Sequence, residues 1–282
     1  MSSYLVGVDI GGTFTDCVII DDQGRVTTAK VPSTPADFSK GMVHAVRNGS
    51  ERLGLDLEEL CSDTKLLTHG TTVGTNAVIQ KKGAKVGLIT TKGHSDVIHI
   101  MRGSRGLSGR ELDKVVHFPE SSKPKPLIPK SLIEGVSERI DCFGNVVVSL
   151  NRAEAEAAVD RLIQNGVDAI AICFLWSFKQ PDHERLMREI IGNRAPNKFV
   201  TCSSDLVPKW GEYERTTAVA LNAYVGPVTS TYLNRLDSEF KNYGYKNPMQ
   251  ITQCGGGTIS VKRAMEAPVS YTHLTLPTSD LV

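Results

Sequence analysis

Apolar and polar residues alternate at the start of the chain with the period of two that suits strands. The runs "VGVDI" (6–10) and "DCVII" (16–20) predict strands on either side of "GGTFT". "DDQG" (21–24) then turns the chain into a third strand, "RVTTAKV" (25–31), so the chain opens as an antiparallel meander. The period changes to a helical one over 36–53, returns to a strand in "KLLTHG" (65–70), and predicts a helix over 73–82 closed by Gly83, followed by the strand "KVGLITT" (85–91). Strand, helix, strand is the order of a mixed α/β domain with a mixed sheet.

Between 102 and 129 the pattern dissolves into Gly, Ser, Pro and charge, which predicts a long surface excursion. A second α/β segment follows. "ERIDCFGNVVVSL" (138–150) has a hairpin signal with Phe143, Gly144 and Asn145 at the turn, and a helix capped by Asn151 ends at Gly166. "VDAIAICFLW" (167–176) reads as a buried strand, Pro181 opens another helix, and "KFVTCSS" (198–204) reads as a strand. A helix over 213–243 is expected to bend or break at Gly226 and Pro227. "PMQITQCGGGTIS" (248–260) reads as strand, glycine loop and the approach to a helix.

Composition narrows the function classes. The chain of 282 residues is long enough for about two domains, and its net charge of +1 gives no electrostatic reason for a nucleic-acid or anionic-membrane partner. Cys17, Cys61, Cys142, Cys173, Cys202 and Cys254 form no CxxC pair, which argues against a structural zinc site and a compact disulfide framework. With no basic, apolar leader and no run of membrane-spanning length, the sequence reads as cytoplasmic and reduced.

Candidate chemistry gathers in "DIGGTFTD" (9–16). A turn that approaches phosphate closely needs backbone N–H groups unobstructed by Cβ atoms, which Gly11 and Gly12 allow, and Thr13 and Thr15 add hydroxyl donors. Asp9, just before the glycines, can hold hydrated Mg²⁺ against the same phosphates, and Asp16 can orient water or metal. A bare glycine pair would read as a turn whose Asp and Thr side chains satisfy the backbone; the fuller string between two apolar strands favours the anion loop.

"HGTTVGTN" (69–76) has a second reading of this kind. Thr71, Thr72, Thr75 and Asn76 at a helix start offer N–H groups and hydroxyls to an oxyanion, and His69 is a candidate acid, base or donor; an N-cap cluster with a packed histidine is the alternative. In "WGEYERT" (210–216), capping explains Glu212 and Glu214, whereas Arg215 is a candidate phosphate or substrate contact. His94, Asp96 and His99 read as a structural cluster rather than metal ligands.

The 9–16 motif resembles the first phosphate loop of the superfamily of actin, sugar kinases and heat-shock chaperone ATPases, which share a ribonuclease H-like core; no Walker A string is present. "HGTTVGTNAVIQKKGAKVGLITTKGHSDV", "FLWSFKQPDHERLMREI" and "SSDLVPKWGEYERTTAVALNAYVGPV" resemble, more narrowly, the hydantoinase A and 5-oxoprolinase family, whose relatives include N-methylhydantoinase and acetone and acetophenone carboxylase subunits. The resemblance implies an enzyme that uses ATP with Mg²⁺ or a similar cation to phosphorylate the carbonyl oxygen of a cyclic amide of hydantoin or 5-oxoproline type, so that water can open the ring. It also implies a hydantoinase B-type partner subunit or fused domain. An ATP-using carboxylase subunit and a non-catalytic assembly domain are the alternatives.

The resemblance implies an N-terminal domain over 1–205 and the start of the main domain over 206–268. Residues 269–282, "VSYTHLTLPTSDLV", read as adaptor-derived, which would make the chain a truncated gene product carrying half of an ATP cleft. Cys254 and Gly255 stand where relatives often have Ser-Asn, which puts any contact of that Asn in doubt.

Overall fold

The computed structural model describes residues 3–34, 37–101, 125–253 and 255–270. Most of the excursion expected at 102–129, Cys254 and nearly all of the expected adaptor-derived tail lie outside the described residues. In chain order the elements are β1 (Tyr4–Ile10), β2 (Phe14–Ile20), β3 (Val26–Pro32), α1 (Phe38–Arg52), α2 (Leu57–Asp63), β4 (Thr64–Thr71) and α3 (Val73–Ile79). Next come β5 (Val86–Thr91), α4 (Val97–Ile100), β6 (Ile133–Val136), β7 (Arg139–Ile140), β8 (Val146–Val148), α5 (Arg152–Gln164), β9 (Ala169–Cys173), α6 (Asp182–Arg194), β10 (Phe199–Cys202) and α7 (Ser203–Leu206). The long α8 (Glu212–Asn242), β11 (Gln250–Thr252), β12 (Thr258–Ser260) and α9 (Val261–Glu266) complete the order.

The chain divides into two compact units. Unit 1 takes the residues up to Lys82 together with those from Val228, and unit 2 takes Gly83–Pro227. The reason is strand pairing: β11 joins β4 in parallel, Ile251 opposite His69, so residues far apart in sequence complete one sheet.

In unit 1 the sheet order is β12-β11-β4-β1-β2-β3. β1 pairs antiparallel with β2 and parallel with β4, and β2 pairs antiparallel with β3, as the alternation predicts for the meander. One face of the sheet is buried, with Val6, Val8, Ile10, Cys17, Ile19 and Leu67 packed among α1 residues such as Met42 and Val46 and α8 residues such as Leu236 and Phe240. The opposite face carries Leu5, Asp9, Phe14, Asp16 and Val18 outward, the period-two signature of a half-buried sheet.

In unit 2, β10-β9-β5-β6 form an all-parallel sheet. Every residue of β5 and β9 is buried, as parallel strands covered on both faces require. Asn151 caps α5 by accepting the Glu154 N–H at 3.1 Å. The helix expected to bend or break at Gly226 and Pro227 is one element, Glu212–Asn242, with Pro227 inside it. Gly226 makes room for a tight tertiary contact there, since a Cβ at that position would lie 2.5 Å from the Phe199 ring. α3 is shorter than expected: its chain reverses at Lys81, which takes a φ of +54°, two residues before the Gly83 expected to end it.

Candidate functional site

β1, β3, β4 and β11 all run in the same direction in unit 1, so the segments that follow them emerge at one edge of the sheet. Residues 11–13, Ser33 and Thr34, Thr71 and Thr72, and Gln253 with 255–257 therefore share that edge. Carboxyl ends of parallel strands are where α/β sheets gather ligands.

Strand register places a row of side chains just below this edge. Asp9 lies opposite Asp16 on one side and Gly70 on the other, and Asp16 lies opposite Lys30. All point to the outer face. Like charges directly across a strand pair repel, and Lys30 Nζ relieves this by pairing with Asp16 at 2.8 Å. Asp9 is exposed, and its carboxylate has no hydrogen-bond or ion-pair partner among the described residues. One of its oxygens occupies the space where a Gly70 side chain would begin: a Cβ there would lie 2.7 Å from Asp9 Oδ1.

The 11–13 loop closes with the Gly11 N–H donating to the Phe14 carbonyl at 3.0 Å. The N–H groups of Gly12 and Thr13 have no protein acceptor among the described residues. A Cβ at Gly12 would meet no protein atom within 4 Å, so the space at that side-chain position is open. Thr13 is exposed, whereas Thr15 points the other way, is fully buried and bonds Ser33 Oγ at 3.0 Å. Strand parity thus removes Thr15 from the donors expected to face an anion.

Residues 69–76 separate likewise. Thr71 Oγ1 accepts the Val73 N–H at 3.2 Å, and Thr72 Oγ1 donates to the Ile10 carbonyl at 3.2 Å while accepting from Asn76 Nδ2. These hydroxyls brace the ends of β1 and α3 rather than stand free. Thr75 Oγ1 is buried and without a partner among the described residues.

His69 is adjacent to Gly70 in sequence and lies on the opposite face. It is fully buried, with Nδ1 3.3 Å from the Val8 carbonyl and Nε2 2.8 Å from the Tyr232 hydroxyl. A carbonyl can only accept, so Nδ1 carries the proton and Nε2 accepts from Tyr232. Burial pushes the His69 pKa down to about 4. A neutral ring with both nitrogens engaged, on the core side, does not fit the acid–base role expected of it.

Arg215 lies in unit 2 and is only 1% exposed. Its Nη2 donates to the Phe174 carbonyl at 2.7 Å, to Ser203 Oγ at 2.5 Å and to Ser177 Oγ, and lies 3.7 Å from Glu184 Oε1. Glu184 in turn accepts from the Phe174 and Ser204 N–H groups and from the Ser203 hydroxyl. Arg215 is therefore a buried structural cation rather than the phosphate contact the sequence suggested. Asp96 pairs with Lys130 at 2.5 Å, in keeping with a structural role. Sequence reasoning missed Lys30, Ser33, Gly70 and Tyr232; only the strand parity of Lys30 gave any signal for them.

Among the described residues no three His, Cys, Asp or Glu side chains could cage a metal. A single free carboxylate beside exposed N–H donors fits Mg²⁺, which keeps waters and shares its shell with substrate phosphates. Transition metals demand several protein ligands and fit less well.

Residues 5–195 match the hydantoinase/oxoprolinase N-terminal region, and residues 215–273 match hydantoinase/oxoprolinase. The chain is 35% identical over 282 residues to the acetophenone carboxylase gamma subunit of Aromatoleum aromaticum, covering 98% of this chain and 38% of that protein. Among solved structures, nucleotide-free acetone carboxylase superposes with a TM-score of 0.85 at 29% identity, over 96% of this chain and 39% of that one. The ATP-dependent caprolactamase from Pseudomonas jessenii superposes with a TM-score of 0.81 at 35% identity, over 90% of this chain and 36% of that one. This chain thus spans well under half the length of these relatives. Its mixed α/β architecture and these neighbours are consistent with a ribonuclease H-like, actin-like ATPase fold. On the match over residues 5–195 and the extent of these similarities, the chain belongs to the hydantoinase/oxoprolinase family.

Proposed function

We propose that the complete gene product is an ATP-dependent enzyme that opens cyclic amides, and that unit 1 of this chain holds the triphosphate and its cation. The observation that carries this reading is the free Asp9 carboxylate over Gly70, on the same sheet edge as the unpaired N–H groups of Gly12 and Thr13. Amide resonance makes a lactam or hydantoin carbonyl a poor electrophile. When its oxygen takes the γ-phosphoryl group and ADP leaves, that resonance is lost. Water then adds at the carbon and the C–N bond breaks, the nitrogen leaving with a proton as the ring opens to an acyl phosphate, which a second water hydrolyses to the acid and phosphate.

Phosphoryl transfer asks the protein mainly for positioning and charge compensation. Gly12 and Thr13 would supply N–H donors, whereas the Gly11 N–H is taken by the Phe14 carbonyl, and Asp9 would hold a Mg²⁺ ion that offsets phosphate charge. Asp16, paired with Lys30, would add a second negative charge on the face that carries Asp9. Thr71 and Thr72 fix the strand and helix ends that frame the loop. The named activity of the caprolactamase supports this reading.

A second reading, the ATP-using subunit of a carboxylase, is favoured by the identity with the acetophenone carboxylase subunit and the superposition on acetone carboxylase. Bicarbonate-dependent ATP turnover without cyclic amide would select it. Relatives named as gamma, alpha and beta subunits support a partner subunit. We place the protein in the cytoplasm: no helix among the described residues is long and apolar enough to cross a membrane, and Cys17, Cys61, Cys142, Cys173 and Cys202 are free thiols.

Calorimetric titration of Mg-ATP into the complete gene product and its Asp9→Ala variant tests the proposal. Loss of about tenfold or more in affinity is expected for the variant; equal affinity would defeat the reading.

A further inference from the structure

We propose that Ser33 is a positioning residue for the nucleotide loop, aiming the Gly12 N–H at the bound phosphate; this rests on the function proposed above. A connection of two glycines and a threonine has little conformational preference of its own, and ordering it is entropically unfavourable. Its order comes from the residue that follows β3. The Ser33 N–H donates to the Thr13 carbonyl at 2.9 Å, and Ser33 Oγ donates to the Gly11 carbonyl at 2.8 Å. Both carbonyls are thereby turned towards Ser33.

The consequence follows from peptide geometry. In a planar trans peptide the C=O of one residue and the N–H of the next point in opposite directions. With the Gly11 carbonyl held on Ser33, the Gly12 N–H points away from Ser33, and it has no protein acceptor among the described residues. The Ser33 hydroxyl has one proton and gives it to Gly11, so the contact with Thr15 Oγ1 at 3.0 Å is donated by Thr15. Thr15 is fully buried, which fixes the relay from Thr15 to Ser33 to Gly11 in one direction. Without the Ser33 hydroxyl, the peptide between Gly11 and Gly12 loses the bond that sets its plane.

The test is Mg-ATP affinity by calorimetry in the complete gene product. It compares wild type, Asp9→Ala, Ser33→Ala, Ser33→Thr and Ser50→Ala, at a temperature where melting curves show every variant folded. Ser50 is a buried α1 serine whose hydroxyl bonds the Arg47 carbonyl, so its loss reports destabilisation of unit 1 without touching the loop. Ser33→Ala is expected to weaken ATP binding by about fivefold to tenfold. Ser33→Thr should restore most of the affinity, and Ser50→Ala should leave it at the wild-type value. Wild-type affinity in Ser33→Ala, or an equal loss in Ser50→Ala, overturns the proposal while the Asp9 result still stands for the nucleotide site. If wild type itself binds no ATP, the nucleotide reading falls and this proposal falls with it.

Discussion

Replacing Gly70 by alanine should separate the geometry of the cation site from the stability of the fold. The new Cβ would lie 2.7 Å from Asp9 Oδ1, where ordinary contact begins at 3.4 Å. The carboxylate must therefore retreat by about 0.7 Å or change rotamer. The obstructing atom is the free end of an exposed side chain, so the cost is that of an adjusted rotamer, about 1 kcal/mol. Alanine in a strand interior gains about 0.5–1 kcal/mol over glycine through the unfolded state. The two effects nearly cancel, and the melting temperature should stay within a few degrees of wild type. Metal ligation, in contrast, tolerates displacements of only about 0.2 Å. Mg²⁺-dependent ATP affinity should accordingly fall about tenfold to a hundredfold, read by calorimetry with Mg²⁺ and with EDTA. If Gly70→Ala binds Mg-ATP as wild type does, Asp9 does not hold the cation from the position it occupies here. A large loss of stability with unchanged affinity would refute the argument equally.

Two further outcomes follow from the buried groups. The His69 pKa is depressed from 6.5 to about 4, so its stabilising contribution is fully present above about pH 6.5 and is lost as pH falls towards 4, by up to about 3 kcal/mol. Urea titrations at pH 7 and pH 4.5 should show wild type losing more stability than His69→Gln over that interval; parallel losses would disprove it. Arg215→Met leaves the buried Glu184 without its cation and should destabilise unit 2 by about 3–5 kcal/mol, seen in thermal melts. Its ATP affinity, measured while folded, should equal that of wild type, and a selective loss of affinity would return Arg215 to the ligand contacts.

The parts of the fold legible in the sequence are those whose signals are local. The N-terminal meander follows from period-two alternation and the turn at 21–24, where Asp21 accepts the N–H groups of Gln23 and Arg25, and α5 follows from its Asn151 cap. Parity is where local reading of the site fails. "GGTFTD" and "HGTT" look like single polar clusters, yet successive strand residues face opposite sides, which sends Thr15 and His69 to the core and leaves Asp9 and Asp16 outside. Arg215 looked available because arginine is seldom fully buried; its burial depends on Glu184, Ser177 and Ser203, which sequence spacing does not connect. Ser33 carries no motif, and its importance arises only when β3 brings it beside the loop. Pro227 argued for a bend or a break, and α8 continues past it as one element.

The pairing of β11 with β4 also has a consequence for how the protein is made. Among the described residues unit 2 is contiguous along the chain, whereas unit 1 is closed by strands far apart in sequence. A ribosome therefore delivers every described residue of unit 2 before it delivers β11. Domains fold as units, earliest first during synthesis, and contacts of long sequence separation are the slow ones. Unit 2 is thus complete while β4 still presents a bare parallel edge. During that interval the edge of β4 depends on chaperones or on the prompt arrival of residues 250–252 for protection from mispairing.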